Sequence, residues 1–300
     1  MLTLRRRRIL AIVALIGLII WLGSSAFVAR KLTRRSRAPF AEPLPSVAGA
    51  KVEGFRLITS DDQEIGAWLV RGDALKECVL LLHGNGESRQ QMLPVIQILA
   101  DAHFTVLAIS LRAHGDSTGE INDIGWSARH DVLAAVAFLQ RECPRQSVFV
   151  VGRSLGAAAA IFAAQELGGN VAGYFLEQPY KDLQSAVWNR LQNNLPPGLD
   201  WAAYLGLRLW SPVFLPVDPN RVSPLEQITK IPDDVPVLIV TGSADQHARL
   251  SDVRELFGQI ERRAQLIVFD GATHEPLVRY DPHRYESTLL RFLERQTPEL

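Results

Sequence analysis

Ser154 stands in Gly152-Arg153-Ser154-Leu155-Gly156, a G-x-S-x-G run that follows the apolar residues Val148 to Val151 and precedes an alanine-rich stretch. A chain that leaves a buried strand and enters a helix within so few residues must turn sharply. Glycines on both sides leave room for that turn, which lifts the serine hydroxyl above the sheet edge at a helix N-terminus. A serine hydroxyl is a weak nucleophile unless a base takes its proton, and the base needs an acid to orient it. His274, in Asp270-Gly271-Ala272-Thr273-His274, is the expected base. Asp245, in Thr241-Gly242-Ser243-Ala244-Asp245, is the expected acid. Both follow apolar runs, so both fall on loops at the edge where Ser154 emerges, and ligands of open parallel sheets bind at that edge. His247, His114 and His130 are rival bases. Asp270 is the rival acid, but four residues before His274 it reads better as the end of a strand.

Attack of a serine on a carbonyl leaves an oxyanion, which needs two fixed donors. The N–H of Leu155, at the head of the helix, is the first expected donor. The N–H of Asn85 is the second. It lies in His83-Gly84-Asn85-Gly86, where small glycines let the backbone approach a substrate. His83 is read as a support for this loop with no part in proton transfer. Gly84, Gly86, Gly152 and Gly156 are read as shaping the two loops. Two cysteines, Cys78 and Cys143, are too few for a disulfide framework or a Cys-based zinc site. Cys143 precedes Pro144 and lies off its strand, so the two are expected too far apart to bridge.

These side chains need a scaffold. Residues 49–70 alternate apolar and polar types around Ser60-Asp61-Asp62, which predicts an antiparallel hairpin. Short apolar runs then follow at 79–82, 106–109, 148–151, 171–176, 237–240 and 266–269. They are continuous, as strands buried on both faces must be. Helical stretches at 89–100, 127–142, 155–167 and 251–262 lie between them, and a last one follows at about 284–295. This alternation predicts an α/β fold with a mostly parallel, doubly wound sheet. It breaks once, at about 180–232, where Pro196-Pro197-Gly198 and three of the six tryptophans occur. That excursion reads as an inserted helical cap folded over the site, some of whose apolar residues line an acyl pocket. Residues 199–210 are apolar on more than one face, so such a helix must bury most of itself or face lipid.

The 300 residues are 47% hydrophobic and 21% charged, and their net charge of zero hides a segregation. Nine of the 32 basic residues fall in the first 37 with no acid among them, which leaves 23 basic against 32 acidic in the rest. An acidic body is a poor nucleic-acid ligand, so no nucleic-acid partner is expected. The early arginines instead flank the 21 uncharged residues Ile9 to Ala29, which as a helix span ~30 Å, the thickness of a bilayer core. Residues 1–37 therefore read as a basic-flanked anchor with one transmembrane helix at 9–29. Residues 38–48 read as a Pro-rich linker, and 49–300 as the catalytic domain. A cleaved signal peptide competes, with Ser24-Ser25-Ala26 as the cleavage-like site, but the apolar run exceeds the usual signal core. A short Arg-rich tail resists translocation, which points the body to the extracytoplasmic side.

Taken together, His83-Gly84-Asn85-Gly86, Gly152-Arg153-Ser154-Leu155-Gly156, the Asp245 loop and His274 resemble the α/β-hydrolase superfamily, whose chain order Ser, Asp, His they follow. The resemblance covers about 50–297. It extends to the membrane-anchored, bud-emergence-related branch and to the serine aminopeptidase-like group. The segment Ser110 to Gly119 is similar to the family's D-x-R-G-x-G-x-S-x-G turn, departing from it at Ser110 and Ala113. The resemblance implies hydrolysis of an ester, thioester or amide with no metal and no organic cofactor. A small-molecule acyl substrate and a membrane contact through the N-terminal helix complete the expectation. Two other readings are an aminopeptidase, for which Glu177 would have to hold the substrate ammonium, and a noncatalytic binding protein on the same fold.

Overall fold

The structure is a computed structural model, and it describes residues 4–294. A long N-terminal helix, α1 (Leu4–Leu32), is followed by the hairpin β1 (Val52–Ile58) and β2 (Glu64–Val70). The alternating part runs β3 (Cys78–Leu82), α2 (Leu93–Asp101), β4 (Thr105–Ile109), α3 (Arg129–Glu142), β5 (Val148–Arg153), α4 (Leu155–Leu167) and β6 (Gly173–Glu177). Three helices then leave the sheet: α5 (Leu183–Asn194), α6 (Leu199–Phe214) and the short α7 (Pro224–Gln227). The chain returns through β7 (Val237–Gly242), α8 (Leu250–Gly258), β8 (Ala264–Phe269), α9 (Leu277–Tyr280) and α10 (Pro282–Glu294).

The eight strands form one sheet in the order β1-β2-β4-β3-β5-β6-β7-β8. β2 is antiparallel to β1 and to β4, and every pair from β4 to β8 is parallel. Successive strands send their side chains to opposite faces. In β3, Cys78, Leu80 and Leu82 enter the core under α3, α4 and α8, while Val79 and Leu81 enter the core under α2 and α10. Both faces are covered, which is why these strands read as unbroken apolar runs. The order reverses at β3, since β4 lies on one side of it and β5 on the other. Such a switch leaves a crevice at the C-terminal strand ends. Leu82 pairs with Gly152 across β3 and β5, and Arg153 pairs with Glu177 across β5 and β6. The loops after these strands therefore emerge side by side.

The excursion between β6 and β7 is helical, as expected. It is fixed to the body by a small cluster in which Ala158 and Phe162 of α4 meet Tyr180, Ala186 and Val222. The segment before β1 is less free than a spacer. Glu42, in the Pro-rich stretch, is buried and accepts from Arg89 Nη1 at 2.9 Å and from Ser110 Oγ at 2.6 Å. Arg35, one of the basic residues flanking the apolar run, is absorbed by the body: its guanidinium donates to the carbonyls of Gly119, Gly115 and Ser117. Helix α1 leans on the excursion. Trp21 Nε1 donates to Ala202 O at 3.0 Å, and a Cβ added to Gly206 would stand 2.4 Å from Ser25 Cβ. Residues 4–20 of α1 are exposed. This is the one described helix long and apolar enough to cross a membrane.

Both cysteines are free and buried: Cys78 lies beside Val148 in the sheet register, and its thiol donates to Gln146 Oε1 at 3.5 Å. The nearby Cys143 thiol and burial push the Cys78 thiol up. Helix α3 ends at Glu142 with Cys143 as its C-cap, and residues 144–147 lead from there into β5.

Candidate active site

Ser154 lies between β5 and α4 with φ 50° and ψ −108°, a left-handed conformation that costs a non-glycine residue energy and recurs at functional sites. The glycines around it are required by close approach. A Cβ on Gly152 would lie 2.7 Å from Ala157 N, and one on Gly156 would lie 2.5 Å from Leu82 O. The turn thus packs backbone on backbone, and α4 starts directly beneath the serine.

His274 Nε2 is 3.1 Å from Ser154 Oγ, and His274 Nδ1 is 2.7 Å from Asp245 Oδ2. Asp245 Oδ1 accepts from the N–H groups of His247 (2.8 Å) and Ala248 (2.9 Å), so the carboxylate is held by its own loop and is an acceptor towards the histidine. His274 must then carry its proton on Nδ1, which leaves the Nε2 lone pair for the serine hydroxyl. In this arrangement the imidazole can take the Ser154 proton. Asp270 is elsewhere: its carboxylate accepts from Ser243 Oγ at 2.9 Å, and its carbonyl accepts from Tyr280. Among the rival bases, His114 and His130 bond other groups, and His247 stacks edge-on against His274 with centroids 5.0 Å apart.

The amides around Ser154 can be assigned one by one. Ser154 N–H goes to Glu177 O, Gly84 N–H to Glu87 Oε2 at 2.9 Å, and Gly86 N–H to His114 Nε2 at 3.1 Å. The N–H groups of Asn85 and Leu155 have no acceptor among the described residues, and both residues line one small cavity of about 10 Å³ with Ser154 and His274. His83 is fully buried and fixes the loop: Leu111 N–H donates to its Nε2 at 2.9 Å, and its Nδ1–H donates to Gly84 O at 2.7 Å. Burial pushes its pKa well below the ordinary value, as it also lowers that of His114. Both rings are neutral supports. Among the described residues no three His, Cys, Asp or Glu side chains gather as metal ligands would.

Four residues at the site escaped the sequence reading. Asn122 Nδ2 donates to Asn85 Oδ1 at 2.7 Å, its Oδ1 accepts from Ile124 N–H, and its own N–H donates to Thr33 O at the end of α1. Ile124 lines the cavity with φ 58°, unusual for a β-branched residue. Tyr180 donates to Ile124 O at 2.7 Å. Arg190, from α5, reaches the cavity from the excursion, and burial lowers its pKa. Loop residues with no period and no motif give no signal in a single sequence. Arg153, inside the G-x-S-x-G run, binds three parts of the site: it pairs with Glu87 at 2.5 Å, donates to His274 O at 3.0 Å and lies 3.5 Å from Glu177. Glu177 is buried in that pair and accepts from Leu277 N–H, so it is not free for a substrate ammonium.

A family model described as serine aminopeptidase, S33, matches residues 73–224, just over half the chain and including both Asn85 and Ser154. The chain belongs to that family. It is therefore an α/β-hydrolase, as its sheet and flanking helices also require. Human monoglyceride lipase is 28% identical over 234 residues, covering 66% of this chain and 75% of the lipase. An uncharacterized membrane protein of Saccharomyces cerevisiae is 24% identical over 144 residues, 48% of this chain and 51% of its own. The esterase Pf2001 of Pyrococcus furiosus superposes with a TM-score of 0.67 at 22% identity, covering 86% of this hydrolase and 99% of the esterase, a likeness of fold.

Proposed function

We propose that this hydrolase cleaves carboxylic esters of apolar acyl groups, at or near a membrane, through a Ser154 acyl-enzyme. The observation that carries the reading is the continuous bonding from Ser154 Oγ through His274 to Asp245, facing the two unclaimed amides of Asn85 and Leu155. Ser154 Oγ attacks the ester carbonyl carbon while its proton passes to His274 Nε2. The carbonyl oxygen becomes an oxyanion held by the Asn85 and Leu155 N–H groups. Collapse breaks the bond to the leaving oxygen, which takes the proton from Nε2 and departs as the alcohol. Water then repeats the sequence on the acyl-serine, releasing the acid and restoring the serine. Similarity to a monoglyceride lipase supports an ester substrate. The long apolar helix, and a membrane protein among the relatives, support a tethered enzyme with α1 as the anchor.

The aminopeptidase reading is less well supported by the same geometry. The cavity at Ser154 is lined by Asn85, Tyr180, Arg190 and His247 among others and by no carboxylate, so a free amino terminus would meet a cation there. The direct test is labelling with an alkyl fluorophosphonate, followed by mass spectrometry. A single adduct on Ser154 is expected, and absence of an adduct on folded protein would favour a noncatalytic binding role.

A further inference from the structure

The cavity at Ser154 is too small for an acyl chain, but a larger apolar one lies directly behind it. A groove of about 210 Å³ runs between the end of α1 and the excursion. That exceeds the roughly 150 Å³ in which an apolar protein cavity holds one benzene ring. Its walls are Ala29 and Leu32 of α1, Leu183 and Val187 of α5, and Leu207 with Leu215 at α6. Ile124 belongs to both linings and so forms the partition between groove and nucleophile. Asp218 and Asn220 are among the polar groups that also line it.

We propose that this groove holds the acyl chain of a lipid ester and that the N-terminal helix is one of its walls, which makes that helix part of the substrate site as well as a tether. The inference rests on the esterase reading above. The occupant follows from three features of the groove. It shares Ile124 with the nucleophile's cavity, so a chain lying in it ends one side chain from Ser154. One wall is the basic-flanked end of a helix with the length and composition of a bilayer span, so the groove sits at the edge of the layer in which acyl chains are dissolved. The outer ridge of α6, Trp201, Leu205, Leu209 and Val213, is exposed at four-residue spacing beside α1 and carries that apolar surface onward. A helix apolar on several faces is thereby accounted for: one face meets α1, one lines the groove and one meets lipid. The end of α1 also bears on the reacting centre, since Thr33 O receives the N–H of Asn122, which in turn holds Asn85.

The test uses the full chain in native membranes and a fluorophosphonate whose dodecyl chain ends in a photoreactive diazirine. Ser154 Oγ displaces fluoride and forms the phosphonate ester, after which light fixes the chain end where it lies. Crosslinks are expected on residues 29–33, at the end of α1, and on residues 204–215 of the excursion. Replacement Leu207→Trp should abolish those crosslinks. It should also lower the ratio of dodecanoyl to acetyl ester turnover by about fourfold for each methylene it displaces. Ser154 adducts with crosslinks only outside these segments would overturn the groove while leaving the esterase reading intact. Absence of any Ser154 adduct would remove both.

Discussion

Asn122 Nδ2 donates to Asn85 Oδ1 across 2.7 Å, and this bond ties the loop that carries one unclaimed amide to the loop that carries the partition residue Ile124. Asn122 touches no reacting atom and is a positioning residue. Replacement Asn122→Asp keeps the acceptor for Ile124 N–H but offers Asn85 no donor. The expected result is a fall in kcat of roughly 10- to 100-fold, the scale of a small misplacement of a transition-state donor, with little change in KM. Steady-state kinetics on an octanoyl ester separates the two constants. A proportionate change in KM alone would mean that Asn122 only shapes binding.

Two aspartates could serve as the acid of the proposed triad, and Asp245, at 2.7 Å from His274 Nδ1, is the one the proposal uses. Asp245→Asn would force the wrong histidine tautomer and should lower kcat by about 10⁴-fold. Asp270→Asn alters only a turn held by Ser243 and should leave kcat within a fewfold of the wild type. Equal effects of the two replacements on kcat would refute the assignment.

Gly156 approaches the backbone of β3 so closely that no side chain fits: its Cβ would meet Leu82 O at 2.5 Å. Carbonyl oxygens within a sheet cannot swing aside as flexible side chains can. Gly156→Ala should therefore destabilise the domain by about 1–3 kcal/mol through overpacking, and thermal denaturation reads it as a lowered Tm. An unchanged Tm would show that α4 can shift away from β3.

Much of this was legible before any coordinates, for reasons that can be named. Strands β3 to β7 are buried on both faces, so they print as unbroken apolar runs, and α4 follows Ser154 without a gap. Loops placed by such strands must emerge at one edge, which is why the serine, the aspartate and the histidine could be chosen by type and position. Glu42 was illegible, since nothing near it in the Pro-rich stretch announces Arg89 as a partner. The docking of α1 depended on Gly206, a small residue in an apolar stretch that gives no hint of a second helix. Asn122 and Arg190 lie on segments whose contacts are set wholly by tertiary packing.

His83 and His114 make the fold sensitive to acid. Each accepts a backbone N–H on Nε2 and is buried neutral, with a pKa lowered chiefly by burial. A histidine whose folded pKa lies below its unfolded value of about 6.5 contributes stability above that value, lost as pH falls beneath it because the unfolded chain binds the proton more readily. Asp131 works in the opposite direction, since burial raises its carboxyl to about 6 despite Arg112, so its protonation favours the folded state as pH falls. A variant isolates the histidine. His83→Gln should be less stable than the wild type at pH 7 but should lose less Tm between pH 7 and pH 5. A parallel decline of the two proteins would contradict the neutral role of His83.

The central claim, that Ser154 is the nucleophile of an ester hydrolase, is tested most directly by kcat/KM for p-nitrophenyl octanoate in full-length wild type and Ser154→Ala at matched folding. The expected result is measurable turnover by the wild type and a loss of roughly 10⁶-fold, down to the detection limit, in the variant. A variant that retained turnover within tenfold of the wild type would contradict it.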